Sequence, residues 1–551
     1  MKTLLSLSFF IFLIPCISHS QPTLMWAQTY NGPPDNADEA VSIAVDAAGN
    51  SYVTGSAFAS NGTLDIVTIK YDPVGQQLWL HSFNGSANLN DQGTKLVLDN
   101  AGNVYVTGYS NNLNSNQDIT TIKYNTNGVL QWAVYYNGSF NNDDEGNALR
   151  VDANGNVYVT GYQTTSNNYT TDFVTLKYNS MGVLQWGQTY NGPGNFNDVS
   201  NDISLDANGN VYVTGSSDTV YNSQPNSDIV VLKYNNSGAF QWRRVYDSAT
   251  HGFEYSKNLA IDRNSNIVVS GYGFVTGNGN DYFVLKWDSS GVFQWFQDYN
   301  FAANTFEQPN AITTDSLDNV IVTGQGITPM SGSTNDYVTV KYDAAGTFLW
   351  ASRYNNISHG EDRGEAVALD DSLNIYVTGY SKGTGTGFDI ATVKYDPAGN
   401  QLYVLRYNNA AANRDDAGNA IAVRNGDIYI TGKSANLSND DYVTLRYSYG
   451  TPLVVNENKN ESIALTVFPN PSHGELNVVL PDGFSGQEKN IHAEILNSLG
   501  QTVFVTGQLM TESVNGESTI SIQTENLSSG IFFLRIFSME NEIGVSKFVV
   551  E

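Results

Sequence analysis

The sequence predicts an all-β chain built mainly as a β-propeller. Three observations predict it: a phrase that returns at an even period, strand-like runs within each period, and no helix signal between them. The phrase reads Asn-Ser-Tyr-Val-Thr-Gly from Asn50 and Asn-Val-Tyr-Val-Thr-Gly from Asn103, and it recurs as far as Asp427. Its eight first residues, Asn50, Asn103, Asn156, Asn210, Asn266, Asn319, Asn374 and Asp427, stand 53, 53, 54, 56, 53, 55 and 53 apart. A single small sheet cannot bury both faces by itself, so units of this length pack face to face around a ring.

One unit runs from residue 38 to residue 83. Strand one, Ala40 to Val45, follows an acidic residue, and Asp46-Ala-Ala-Gly49-Asn50 turns it into strand two, Ser51 to Gly55. A variable loop leads to strand three, Asp65 to Tyr71, and Asp72-Pro73-Val74-Gly75 turns it into strand four, Gln76 to Phe83. Period-two alternation, β-branched and aromatic residues, and Asp-x-x-Gly turns support each assignment. Every strand four carries a large aromatic: Trp79, Trp132, Trp186, Trp242, Trp295, Trp350 and Tyr403. Trp26 stands alone before the first unit, while the last strand three, Asp441 to Tyr447, has no strand after it. Trp26 to Tyr30 is therefore expected to be the outer strand of the eighth blade, joining the two ends of the repeat and removing open edges.

At Asp-x-x-Gly-Asn-x-Tyr-Val-Thr-Gly and Asp-Ile-x-Thr-x-Lys-Tyr the chain resembles the bacterial family of seven-bladed-propeller-type repeats, over roughly residues 26–447. The count here predicts eight four-stranded blades, with seven as the alternative. The resemblance implies a secreted or surface scaffold and names no reaction.

The two ends carry an address. Lys2, the apolar run Leu4 to Ile17 and Ser18-His19-Ser20 read as a signal peptide over residues 1–20, cleaved before Gln21 and too short for a comfortable transmembrane helix. Cys16, the only cysteine, lies inside it; a lipoprotein reading of Leu13-Ile14-Pro15-Cys16 puts Pro15 where a small residue is expected. Cleavage after Ser20 leaves a mature chain with no disulfide, no thiol chemistry and no transmembrane segment. The propeller is expected over residues 21–450, a polar linker over 451–461 and a small Ig-like β-sandwich over 462–551. Acidic residues number 54 against 26 basic ones, and the formal charge of −28 excludes nucleic acid and anionic membrane surfaces as partners.

The C-terminal segment has its own landmarks: Phe468-Pro469-Asn470-Pro471 with Gly474, then Leu476-Asn477-Val478, Leu499-Gly500-Gln501, Leu527 to Phe532 around Gly530, and Lys547-Phe548-Val549-Val550. In this order they resemble the C-terminal sorting domain of type IX secretion. That resemblance implies Pro469, Asn470, Pro471, Gly474, Gly500, Gly530 and Lys547 as the sorting motif, the type IX machinery as partner, and an extracellular or outer-surface destination.

Charged positions recur within the repeat. Acids precede strand one: Asp38, Asp91, Asp144, Asp198, Glu254, Glu307, Asp362 and Asp416. Aspartates open strand three: Asp65, Asp118, Asp172, Asp228, Asp281, Asp336, Asp389 and Asp441. Strand polarity puts both sets on one rim, without matched bases. A base five residues into strand three, Lys70 in the first unit and Arg446 in the last, lies near the opposite rim, within reach of Asp46 and its equivalents. Capping of loop N–H groups is the expected role of the acids. A set of oxygen ligands for Ca²⁺, or a docking ring for a basic partner, is the alternative, although no Asp-x-Asp-x-Asp-Gly run supports calcium. The longest strand-two-to-three loops, Ser216 to Ser227 and Gln325 to Asn335 with Tyr221, Pro225 and Met330, are the places to look for a specific contact. His81, His251, His359, His473 and His492 look scattered. The functional expectation is a non-catalytic surface scaffold, without cofactor, that binds a protein or glycan in adhesion. The alternative is a secreted polysaccharide-acting enzyme, which would have to break the repeat at its reacting positions.

Overall fold

A computed structural model describes residues 21–114, 116–165, 170–221, 224–275, 279–300, 305–327, 334–356, 360–449, 463–480, 491–497, 502–506, 512–514, 517–525, 527, 529–538 and 541–550. The expected signal peptide and linker lie outside them, as do Met330, Gly500 and His359. Thr23–Ser448 forms one compact unit, and the C-terminal strands belong to a second.

Among the described residues of the first unit, eight four-stranded antiparallel blades follow one another, not seven. The first blade consists of Glu39–Val45, Ser51–Phe58, Leu64–Tyr71 and Gln77–Phe83. The eighth takes Asp416–Arg424, Asp427–Ala435 and Asp440–Ser448 from the end of the repeat, and Thr23–Tyr30 from its beginning. Trp26 pairs with Arg446 and Tyr30 with Tyr442 in that sheet, so the ring closes by strand exchange as the sequence predicts.

Local chemistry explains the repeated phrase. Strand one carries a bulge, in the first blade between Ala40 and Ser42, that drives the Glu39 carbonyl onto Gly55; any side chain there would overlap it. Gly108 and Gly161 face Gln92 and Glu145 in the same way. The Asp of each Asp-x-x-Gly-Asn turn holds the turn shut. Asp46 accepts from the Ala48 and Asn50 amides at 2.9 Å, from Asn50 Nδ2 at 2.7 Å and from the Tyr52 hydroxyl at 3.0 Å.

Neighbouring blades are latched by the strand-four tryptophan. Trp79 donates its indole N–H to the Thr126 carbonyl in the next blade's turn at 3.3 Å, Trp132 to Ser180 at 3.1 Å, Trp295 to Ala344 at 3.2 Å and Trp350 to Pro397 at 3.1 Å. The strand-three base reaches the same carbonyls, Lys70 to Thr126 at 3.3 Å and Lys286 to Ala344 at 3.0 Å. Trp26 makes this latch at the closure, donating to Pro73 at 3.1 Å while its ring lies against Tyr71 and Gly75. Gly75 has a φ of 87°, and a Cβ on it would stand 2.7 Å from Trp26, so the turn admits only glycine.

The fourth blade departs from the expected loop pattern. Its middle strands run Val211–Tyr221 and Gln224–Tyr234, so the residues expected to form a long loop instead prolong a two-stranded hairpin, in which Asp218 pairs with Ser227 and Thr219 with Asn226. The fifth and sixth blades are bridged by parallel pairing of Gly279 with Thr305 and Asn280 with Phe306.

The second unit is a pair of sheets. Ile463–Ala464, Asn541–Val550, Gly530–Ser538, Ile491–Asn497 and Thr502–Val505 form one, and Thr466–Phe468, Glu475–Val479, Glu517–Gln523 and Glu512–Val514 the other. Leu476, Val478, Ile491, Ile495, Ile520, Leu534 and Phe548 fill the space between them, as in a sandwich.

The closure yields a test. Trp26→Ala should lower stability by about 3–5 kcal/mol in denaturant unfolding of the ring, and Trp26→Phe by less, since it keeps the packing and loses only the N–H. An unchanged midpoint in Trp26→Ala would refute the closing role of this strand.

Candidate functional site

The strand-one acids are all buried at the rim where the chain enters each blade, none more than 1% exposed. They accept from the backbone of the incoming loop. Gly32 N–H donates to Asp38 at 2.5 Å, Gly85 to Asp91 at 2.7 Å, Gly138 to Asp144 at 2.5 Å, Gly192 to Asp198 at 2.6 Å, Asn356 to Asp362 at 3.1 Å and Asn409 to Asp416 at 2.9 Å. In the fifth and sixth blades a longer acid meets a hydroxyl: Ser248 donates to Glu254 at 2.5 Å and Thr305 to Glu307 at 2.7 Å.

The strand-three acids share this rim. Asp65 accepts from Ser82 at 2.5 Å, Asp118 from Asn112 at 3.0 Å, Asp228 from Asn226 at 3.1 Å, Asp281 from Asn300 at 3.3 Å and Asp441 from Asn436 at 3.0 Å, while Asp172 is buried. The expectation that no base matches this face is corrected in two blades. Arg406 pairs with Asp389 at 2.7 Å, and Arg353 stands 3.6 Å from Glu307 and 3.9 Å from Asp336, both reaching in from strand four. At the opposite rim the bases meet their acids: Lys286 and Asp262 at 2.8 Å, Lys341 and Asp315 at 3.0 Å, Lys394 and Asp370 at 3.7 Å. In the eighth blade, where Arg424 replaces the turn acid, Arg446 pairs with Asp427 at 2.6 Å.

Each strand-three acid faces the strand-one acid of the following blade. Burial, joined by the charges of Asp65, Asp118 and Asp389 respectively, pushes Asp91, Asp144 and Asp416 up to about 6.

The repeat breaks at one place. Tyr-Asn ends strand four at Asn31, Asn137, Asn191, Asn300, Asn355 and Asn408, and Phe-Asn does so at Asn84, but the fourth blade has Tyr246-Asp247. Four residues on, where Asn88, Asn141 and Asn195 take a positive φ, stands His251 with φ 48°. Its Nδ1 lies 2.7 Å from Asp247 Oδ2, and both side chains are about a third exposed. Carboxylate oxygens of Asp228, Asp247 and Glu254 all lie within 4.8 Å of one another, the one such trio among the described residues. Glu254 Oε2 is buried without a hydrogen-bond partner. Burial first, then the charge of Asp247, pushes Asp228 up to about 6; burial, with Asp247 and Asp228, pushes Glu254 up to about 7. Three oxygens are fewer than the six to eight that Ca²⁺ takes, so a cation here would draw further ligands from backbone or water. Sequence reasoning had named Asp228 and Glu254 as two of sixteen similar acids, and had set His251 aside as scattered. It missed Asp247, whose signal was one Asp in a column of seven Asn.

In the second unit the Pro-Asn-Pro segment ties down the last strand. Pro469 and Pro471 follow cis bonds, and Asn470 Oδ1 accepts from the Val549 amide at 2.8 Å while its Nδ2 reaches the Lys547 carbonyl at 3.4 Å. Ser472 N–H donates to the Val549 carbonyl at 2.7 Å, and the Gly474 carbonyl accepts from Thr524 N–H at 2.7 Å. Gly530 opens the strand that pairs with the strand of Lys547.

The class follows from both halves. Residues 466–551 match the secretion system C-terminal sorting domain, and residues 85–114 match a β-propeller repeat. The chain is a β-propeller repeat protein with a type IX secretion sorting domain at its C-terminal end, exported to the cell surface or beyond. Among the described residues no helix is long and apolar enough to cross a membrane. Over 497 residues it is 25% identical to an uncharacterized WD repeat-containing protein of Acanthamoeba polyphaga mimivirus, a match covering 70% of this chain and 33% of that relative's length.

Similar solved structures include a polysaccharide lyase (9% identity, TM-score 0.40, 64% of this chain and 90% of that one). A puromycin hydrolase (10%, 0.40, 73% and 61%) and a Hadza microbial sialidase (8%, 0.34, 60% and 73%) are also among them. Likeness at this level singles out no reaction. The expectation of a non-enzyme is nevertheless corrected. It rested on eight equivalent blades and scattered histidines, whereas the described residues hold one acidic trio, with a histidine paired to it, where the repeat changes.

The rim acids predict a pH dependence. Asp91, Asp144 and Asp416 hold a proton to about pH 6 when folded but only to about pH 4 when unfolded. Their stabilisation is complete below the unfolded value and lost as pH rises through the folded one. Asp46 and Asp99 act in the opposite sense: burial pushes them up, but hydrogen bonds from their turns outweigh it and hold them low, so their contribution is lost on acidification below about pH 4. The melting temperature should peak near pH 5 and fall by several degrees at pH 7.5, as read by calorimetry; a flat profile would rule out the raised carboxyls. Separately, deletion of residues 463–551 should leave a folded propeller that stays behind the outer membrane in a type IX-competent cell, and its undiminished surface display would contradict the sorting role.

Proposed function

We propose that this protein is a secreted enzyme that cleaves an extracellular polysaccharide, with Asp247 and His251 as its reacting groups. The observation that carries the reading is the break in the repeat, which brings an acid and a hydrogen-bonded imidazole to the solvent at one point of an otherwise repetitive rim. Hydrolysis balances through this one pair: His251 takes a proton from the attacking water as its oxygen bonds the anomeric carbon, the bond to the leaving oxygen breaks, and the imidazolium, held by Asp247, returns that proton to the leaving oxygen. Asp228 and Glu254 lie behind the pair, and burial leaves both holding protons nearer to neutrality than ordinary carboxyls do. As positioning residues, they keep the Asp247 side chain from turning inward.

Other blades provide substitutions that the fold already accepts at these positions. Asp247→Asn and His251→Asn reproduce the residues of neighbouring blades, so each should keep the melting temperature while lowering turnover of a polysaccharide panel by about 10²-fold or more. Asp65→Asn and Asp118→Asn, the equivalents of Asp228 elsewhere, should leave turnover within twofold. Activity that survives both Asp247→Asn and His251→Asn, or no turnover of any polysaccharide by the intact protein, would end this reading.

A further inference from the structure

Following the reacting pair in the chain is a row of aromatic rings of which three, Phe253, Tyr255 and Phe306, have no aromatic counterpart outside the fifth and sixth blades. In three blades the residue before the strand-one acid is a polar latch. Asn90 accepts from the Leu64 amide at 3.1 Å, Asp143 from Gln117 at 3.0 Å and Asp415 from Phe388 at 2.8 Å, each tying one blade to the hairpin of the one before. In the fifth and sixth blades this residue is Phe253 and Phe306. There the backbone takes over the tie, through the parallel bridge of Ser227 with Phe253 and the pairing of Asn280 with Phe306. The side chains are thereby released from the latch, and both are aromatic.

They are not isolated. Phe253 is parallel to Tyr255 with centroids 6.2 Å apart, Tyr255 lies 5.3 Å from Tyr272, and Tyr272 lies 6.2 Å from Phe306. Position 255 is Glu, Gln, Val, Arg or Ala in the other blades, whereas Tyr272 has counterparts in Tyr109, Tyr162 and Tyr380, and the other blades carry Ser, Gln or Lys there. Phe253 is 43% exposed, and Phe274, whose amide reaches the Phe253 carbonyl at 3.4 Å, is 47% exposed. Tyr255, Tyr272 and Phe306 are half-buried, so the row offers ring edges and one open face, Phe253, across two bridged blades, which suits a contact surface. The row begins two residues after His251 in the chain, at the edge of the blade that follows the reacting pair.

We propose that Phe253, Tyr255, Tyr272 and Phe306 form a stacking subsite for the pyranose rings of a neutral polysaccharide. The apolar C–H face of a pyranose matches an aromatic ring, and its hydroxyls match the tyrosine hydroxyls and the Lys257 ammonium, which lies 5.7 Å from the Tyr272 centroid. Neutrality follows from charge: a chain of formal charge −28 with its acids gathered on this rim repels uronate-rich and sulfated polymers. This inference rests on the polysaccharide reading of the site, but it concerns binding, not turnover.

Calorimetric titration of the full chain with cellohexaose, laminarihexaose, xylohexaose and chitohexaose, with oligogalacturonate as the charged comparison, tests it. At least one neutral hexaose should bind saturably. Phe253→Asn, Tyr255→Gln and Tyr272→Ser, each a residue other blades carry at that position, should together weaken it tenfold or more with an unchanged melting temperature. Asp65→Asn, in the first blade and outside the row, should bind within twofold of the intact protein. Binding of a neutral hexaose without turnover keeps the subsite and removes the enzymatic reading; turnover untouched by the triple aromatic variant does the reverse. No binding of any neutral hexaose, or preference for oligogalacturonate, overturns the subsite.

Discussion

The propeller depends on one repeated contact, the strand-four indole and the strand-three base donating together to a single carbonyl in the next blade's turn. Blades bury their faces only against neighbours, and dispersion between flat sheets has little angular preference. A directional N–H bond at the outer edge sets the spacing and the stagger. Trp79 and Lys70 converge on Thr126, and Trp295 and Lys286 on Ala344. At the closure, Trp26 and Arg446 both donate to Pro73, although they lie at opposite ends of the repeat. The glycine of each turn is needed because the indole lies where a Cβ would be.

The fourth blade shows what happens when the latch changes. Trp242 Nε1 is buried without a partner, and Arg244, stacked over that indole at 5.1 Å, extends its guanidinium to the Gly291 carbonyl at 2.5 Å instead. This blade also has the prolonged hairpin, the Asp247 and His251 pair, and the bridge to Phe253. Several departures from the repeat thus meet in this sector, while the strand-one acids of six blades accept from loop amides as structural caps. What separates the trio from its equivalents is the third carboxylate, Asp247, where the other blades have Asn.

Most of the fold was legible from spacing alone. The period, the Asp-x-x-Gly turns and the stranded Trp26 are local signals whose consequences are forced by sheet edges and hairpin geometry, so the eight blades and their closure could be read off directly. The length of the fourth hairpin could not, because polar residues prolong a strand as readily as they form a loop until cross-strand partners decide. Arg353 and Arg406 were likewise unplaced: nothing in strand four says that a long side chain crosses to the acids of two other strands.

By itself, the sequence determined the architecture and the destination, since repeats and terminal landmarks are written in consecutive residues whose spacing carries the information. Only the tertiary structure decided which acids gather in a trio. Asp228, Asp247 and Glu254 come from three different segments, and their mutual approach within 4.8 Å depends on where two neighbouring blades place a strand end and a loop. The aromatic row is of the same kind. Phe253 and Phe306 are 53 residues apart in sequence, and their release from latching follows from backbone bridges that no side-chain pattern announces.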